Sequence, residues 1–76
     1  MSKVKLGKYK HYKNKLYEVI DIALDSDTLE EYIVYRALYD DPKFGKNRLW
    51  VRKKEEFLKP EIIDGKEVVR YEFVEE

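Results

Sequence analysis

Apolar and polar positions exchange along most of this chain with the period of a strand rather than a helix. In the last third Val69, Tyr71 and Phe73 alternate with Arg70, Glu72 and Val74, the pattern of a strand with one wet face. Asp64-Gly65 precedes that run and comes after Glu61-Ile62-Ile63, a turn signal that predicts a hairpin of residues 61–63 against 68–74. Near the start, two Tyr-rich arms flank Lys13-Asn14-Lys15 in the run YKHYKNKLYEVIDI. Asn tolerates the left-handed backbone of a short loop, so this reads as a first hairpin, whose second arm, residues 16–24, carries Val19, Ile20 and Ile22.

Between the hairpins the pattern is less uniform. Asp25-Ser26-Asp27-Thr28 is a polar break whose side chains can bond nearby amides and set a turn. Thr28 and Glu31 also have capping-box spacing, so a helix over 28–40 is the alternative for the next segment. The β-branched and aromatic run YIVY favours a strand over 32–39, because a helical stripe through Leu29, Tyr32 and Ile33 would carry Arg36 in its middle. Asp40-Asp41-Pro42 and Gly45 mark a loop to about Asn47, and residues 49–52 form a short strand. Residues 53–59, polar around Phe57 and Leu58 and stopped by Pro60, suit a single helical turn. Short strands at such intervals predict a mostly β fold: one domain over 1–76, an SH3-like antiparallel barrel or strongly bent sheet with at most one helical turn.

Length sharpens this picture. A chain of 76 residues buries only about 60% of its unfolded surface, so its core must be thin and is expected to rest on rings. Seven Tyr, three Phe and one Trp supply them. The absence of cysteine removes disulfides, thiolate nucleophiles and sulfur-bound zinc, and agrees with a reducing, cytoplasmic setting. No apolar run approaches the roughly 20 residues of a membrane span, and MSKVKLGKYK lacks the apolar centre of a signal sequence, so a soluble protein is expected.

Charge is balanced overall but not along the chain. Residues 1–16 hold six lysines and no acid, 17–42 hold eight acids against Arg36 alone, 43–54 are basic again, and the remainder is acidic. Such blocks most simply pair across neighbouring strands; the other arrangement brings both basic blocks to one anion-attracting face.

Two arginines stand where strands should be apolar. On a pleated strand Arg36 shares its face with Val34 and Leu38, and Arg52 shares its face with Trp50, which would allow the guanidinium to stack on the indole. Pairing with Glu18, Asp21 or Glu30 would make both arginines structural. The functional reading is a binding site for an anionic or planar small molecule, or a protein segment, formed by Trp50, Arg52, Arg36, Tyr35, His11 and Tyr39. His11 is the single histidine, which excludes a multi-histidine metal site, and neither Ser2 nor Ser26 stands in a nucleophile motif. Glu30 and Glu31 would point to opposite faces of a strand, and the three glycines are too scattered for a phosphate loop. No enzyme, cofactor or metal is therefore expected. The second reading is single-stranded nucleic-acid binding by the lysines and rings of Lys8 to Lys13, weakened by zero net charge.

The runs GKYKHYKNKLYEV, DSDTLEEYIVYRALYDD and LWVR resemble, in order and over nearly the whole chain, a family of short bacterial proteins known as domain of unknown function 1653. Gly7, Tyr9, His11, Tyr12, Lys13, Ser26, Thr28, Glu30, Val34, Tyr35, Leu38, Tyr39, Leu49, Trp50, Val51, Arg52 and Phe57 stand at places matching its pattern. Lys53 replaces a proline after the arginine and Glu56 a methionine before Phe57. The resemblance implies a family and no activity, so function has to be argued from a site.

Overall fold

A computed structural model describes residues 4–75. Its main body is a five-stranded antiparallel sheet built from β1 (Gly7–His11), β2 (Leu16–Leu24), β3 (Glu31–Ala37), β6 (Leu49–Lys53) and β9 (Tyr71–Glu75), in the order β6-β3-β2-β1-β9. Two-stranded ladders, β4 (Asp40–Asp41) with β5 (Gly45–Lys46) and β7 (Glu61–Ile63) with β8 (Lys66–Val68), interrupt the sequence between sheet strands. The one helix among the described residues, α1 (Lys54–Leu58), comes directly after β6.

Turn chemistry accounts for the connections. Asn14 adopts φ +65° in the β1–β2 hairpin, as expected of the loop asparagine. After β2, Asp25 Oδ1 accepts bonds from the amides of Asp27 and Thr28, and Thr28 Oγ1 accepts from Glu30 N–H. These bonds consume the capping groups in a turn, and Glu31 onwards extends as β3 instead of coiling. Asp41 Oδ1 repeats the device with the amides of Lys43 and Phe44, which turns the expected loop of 40–47 into the small β4–β5 ladder.

The final segment departs from expectation. Residues 68–74 are not one strand: β8 stops at Val68, Val69 is exposed, and β9 starts at Tyr71. The Asp64-Gly65 turn does form a hairpin, but only with β8, after which the chain crosses to pair β9 with β1. Tyr12 N–H donates to Arg70 C=O at this bend, which anchors the switch of partner. The apolar alternation is continuous through the break because both short strands present a half-wet face.

Pairing also sorts the side chains. On β3, Ile33, Tyr35 and Ala37 are buried and face one side; Tyr32, Val34 and Arg36 face the other. In β2 the register slips between Val19 and Asp21, a bulge that lets Val19 and Ile22 lie opposite Tyr35 and Ile33 on the same side. The core comprises Val4, Tyr9, Val19, Ile33, Tyr35, Phe57 and Tyr71, ring-rich as the chain length requires. Phe57, on α1, lies flat on Tyr71 at 4.3 Å with an interplanar angle of 5° and meets Tyr9 and Tyr35 edge to face, both at 5.6 Å. A five-residue helix without a side-chain cap does not persist on its own propensity; this ring contact holds it on the sheet.

Surface ion pairs join opposite charges between segments, one of them, Lys8 with Glu75, directly across paired strands. Lys53 meets Glu30, Lys54 meets Glu31, Lys8 meets Glu75 and Arg70 meets Glu61. β2 and β3 lie between β1 and β6 in the sheet order.

Phe57 is 2% exposed, and its removal leaves three ring faces without a partner. Phe57→Ala should cost about 3–5 kcal/mol, a large share of the roughly 5–15 kcal/mol expected of a domain. Urea unfolding monitored by Trp50 fluorescence checks this; a loss below about 1 kcal/mol would mean that the helix is not the keystone of the core. Phe57→Leu should lose less, because it keeps most of the buried area.

Candidate functional site

The same register that builds the core places a second group of rings beside it. Tyr35 lies opposite Trp50 across the β3–β6 pairing, Ile33 opposite Arg52, Tyr9 opposite Tyr17, and His11 opposite Tyr71. Directly opposed residues share a face, so His11, Tyr17, Tyr35, Trp50, Arg52 and Tyr71 all point to the core side of the sheet. Beyond β3 the chain bends at Leu38–Tyr39, and the Tyr39 ring returns over Tyr17 at 5.6 Å. Together these seven residues line a pocket of about 230 Å³.

Five of the six residues expected at a binding site are therefore gathered: Trp50, Arg52, Tyr35, His11 and Tyr39. Arg36 is not. It pairs with Leu49 and Glu18 on the opposite face and lines a separate, broader depression of about 400 Å³ with Leu6, Gly7, Glu18, Val19 and Ile20. The reason is strand parity: adjacent residues Tyr35 and Arg36 point to opposite sides of a regular strand, so one pocket cannot use both. The expected stack of Arg52 on Trp50 is also absent. Trp50 is met edge-on by Phe44 at 5.2 Å, and the cation–ring contacts among the described residues belong to Lys5, Lys13, Lys15 and Lys43.

Instead, the Arg52 guanidinium is turned toward Tyr35 and Tyr71. The Tyr35 hydroxyl foremost holds its pKa above the ordinary arginine range, against burial, which pulls the other way; Tyr71 adds to the upward push. Among the described residues neither Arg52 nor Arg36 is in an ion pair, so the acids considered as partners are not their partners. Arg52 Nε is closed off from solvent and donates to no protein acceptor. An arginine has five N–H donors, more than two phenol oxygens can accept.

Two hydroxyl pairs line the same pocket. Tyr17 and Tyr39 share a hydrogen bond of 2.7 Å, and Tyr35 and Tyr71 approach at 3.5 Å. Burial, with Tyr39 next, pushes the Tyr17 phenol far up; burial, with Tyr35 next, does the same to Tyr71. Both stay protonated in neutral solution, and in each pair either hydroxyl can be the donor. Each pair uses one O–H internally and leaves the other free to donate. His11 Nδ1 accepts from Lys13 N–H, so the neutral ring carries its proton on Nε2. Its pKa is lowered, chiefly by burial and then by Lys13, Arg70 and Arg52.

Tyr17 and Tyr71 lie outside the set that sequence reasoning identifies. Tyr17 was accessible in principle, since the Asn14 loop sets it opposite Tyr9. Tyr71 reaches the site only through the β1–β9 pairing, between segments some sixty residues apart, which no local pattern encodes. Among the described residues no three His, Cys, Asp or Glu side chains cluster as a metal would require, and no helix is long and apolar enough to cross a membrane.

The fold and this ring-lined face define a small antiparallel sheet protein with a single short helix. Residues 7–73 match the family described as a protein of unknown function, DUF1653, and the chain belongs to that family. A crystal structure of a DUF1653 protein from Bordetella bronchiseptica has the same fold, with a TM-score of 0.79 at 22% identity, covering 93% of this chain and 87% of that one. No curated protein matches.

His11 is the only histidine, and its depressed pKa links protonation to unfolding. Between the folded value and the ordinary value of 6.5 the unfolded chain binds more protons, so stability should rise with pH across that window and fall as pH drops below 6.5. Urea midpoints at about pH 7.5 and pH 5.5 check the sign, and His11→Gln should flatten the difference. An unchanged slope in that variant would remove His11 as its source.

Proposed function

We propose that this domain is a non-catalytic module that binds a small anionic ligand in the pocket lined by His11, Tyr17, Tyr35, Tyr39, Trp50, Arg52 and Tyr71. The supporting observation is Arg52: a half-buried guanidinium whose Nε is closed off from solvent, with no carboxylate partner among the described residues and with surplus donors beside four tyrosine hydroxyls. A donor closed off from water is ordinarily matched by an acceptor, because leaving it unpaired is costly, and Arg52 Nε has none in the protein. Here the surrounding groups are donors or neutral rings, an environment suited to receiving an oxyanion. The reading takes the sheet to be bent in the SH3-like manner, with the pocket on its ring-lined side.

The other features of the chain fit a supporting part. Arg36 and the depression on the opposite face lie outside the module's site. In the N-terminal hairpin Tyr9 is spent in the core with its hydroxyl donating to Lys5 C=O at 2.8 Å, and Lys8 is paired with Glu75, which removes one ring from a stacking surface for bases and occupies one cation.

Titration of isotopically labelled protein with carboxylates and phosphates tests this. Saturable amide shifts should cluster around Arg52, Tyr39 and His11. Arg52→Gln should weaken binding by about ten- to a hundredfold, since hydrogen bonds to a charged group are worth about 1.5–3 kcal/mol, whereas Arg36→Gln should leave it unchanged. Equal loss in both variants, or no saturable shift with any anion, overturns the reading.

A further inference from the structure

We infer that the pocket's ligand is a small aromatic monocarboxylate, its carboxylate on Arg52 and its ring against Trp50 and Tyr39; this rests on the anion-binding reading and specifies it. Three features of the site carry the inference.

The first is charge. Arg52 is the one permanently charged side chain among the lining residues. None of the other cations close by is a lining residue: Arg70 pairs with Glu61, Lys13 Nζ sits over the Tyr12 ring at 5.7 Å, and Lys15 Nζ over the Tyr39 ring at 4.4 Å. One cation matches a monoanion. A phosphate monoester near neutral pH carries close to two negative charges and would be left with an unmatched one.

The second is hydrogen-bonding geometry. A guanidinium is a flat fork that meets the two oxygens of a carboxylate in its own plane. The unused O–H of the Tyr35–Tyr71 pair and that of the Tyr17–Tyr39 pair add two donors, enough for the remaining lone pairs of a carboxylate. No carboxylate side chain lines the pocket to receive a donor-rich ligand such as an amine.

The third is shape. Every lining residue except Arg52 carries a ring, and no aliphatic side chain is among them. The rings already meet edge to face, Tyr17 with Tyr35 at 5.4 Å and with Tyr71 at 5.7 Å, and a flat ligand extends the same packing where a branched one would not. At about 230 Å³ the site is smaller than the roughly 300–1,000 Å³ of drug-sized pockets, which suits one ring with a short acidic arm.

The experiment is a parallel titration at about pH 7.5 of the full chain with benzoate, phenylacetate, cyclohexanecarboxylate, phenyl phosphate and inorganic phosphate, read by amide shifts and by fluorescence of the single tryptophan. Benzoate or phenylacetate should saturate both signals and bind at least about fivefold tighter than cyclohexanecarboxylate and phenyl phosphate. Trp50→Leu should lose that preference and Trp50→Phe should restore part of it, with Arg52→Lys weakening every carboxylate. Arg52-dependent binding of either phosphate with none of the aryl acids overturns this inference and leaves the anion site standing. Equal affinity for the cyclohexane acid overturns the ring requirement, and the absence of any saturable response overturns both readings.

Discussion

The contact on which this molecule depends is the stack of Phe57 on Tyr71, with Tyr9 and Tyr35 closing on its edges. A domain of this length has little apolar area to bury, and four rings meeting at one point supply much of it. The same contact docks α1, brings β9 and β3 under a common cover, and fixes how the tyrosines stand. Because a tyrosine has an apolar body and a polar tip, using the rings of Tyr35 and Tyr71 as core necessarily aims their hydroxyls outward from it. Those hydroxyls meet Arg52. The ring-lined pocket is thus the polar back of the hydrophobic core, and the two cannot be varied independently.

Electrostatics divides the molecule along the same lines. At the rim, lysines meet glutamates across the edges of the sheet in surface pairs of the kind worth about 0–1 kcal/mol, which help register and solubility more than stability. Beside the core a cation stands among neutral donors. The Tyr35 and Tyr71 hydroxyls favour the charged guanidinium there, against its burial. Balanced net charge therefore conceals one local imbalance, and that imbalance gives the pocket its chemical character.

Much of the architecture was legible in local sequence. The Asn14 turn, the strand over Glu31–Ala37, the Trp50 strand, the single helical turn around Phe57 and the Asp64-Gly65 hairpin each arise from period, turn residues or capping chemistry acting over a few positions. Where local pattern misled, the cause was a competing local bond or a distant one. Asp41 capped a turn and made a ladder out of a loop; the bend at Arg70 divided an apparently continuous strand and sent its second half to β1.

By itself the sequence determined the mostly β class, the ring-based core, the family and the two strands carrying Tyr35, Trp50 and Arg52, because these depend on side-chain period and on turns closed within a few residues. Tertiary structure alone decided that Arg36 faces away, that Arg52 turns to tyrosines instead of the indole, and that Tyr17 and Tyr71 complete the pocket. These outcomes depend on which strands pair and in what register, and pairing between segments far apart in the chain is set by how the whole core fills, which no local stretch of residues specifies.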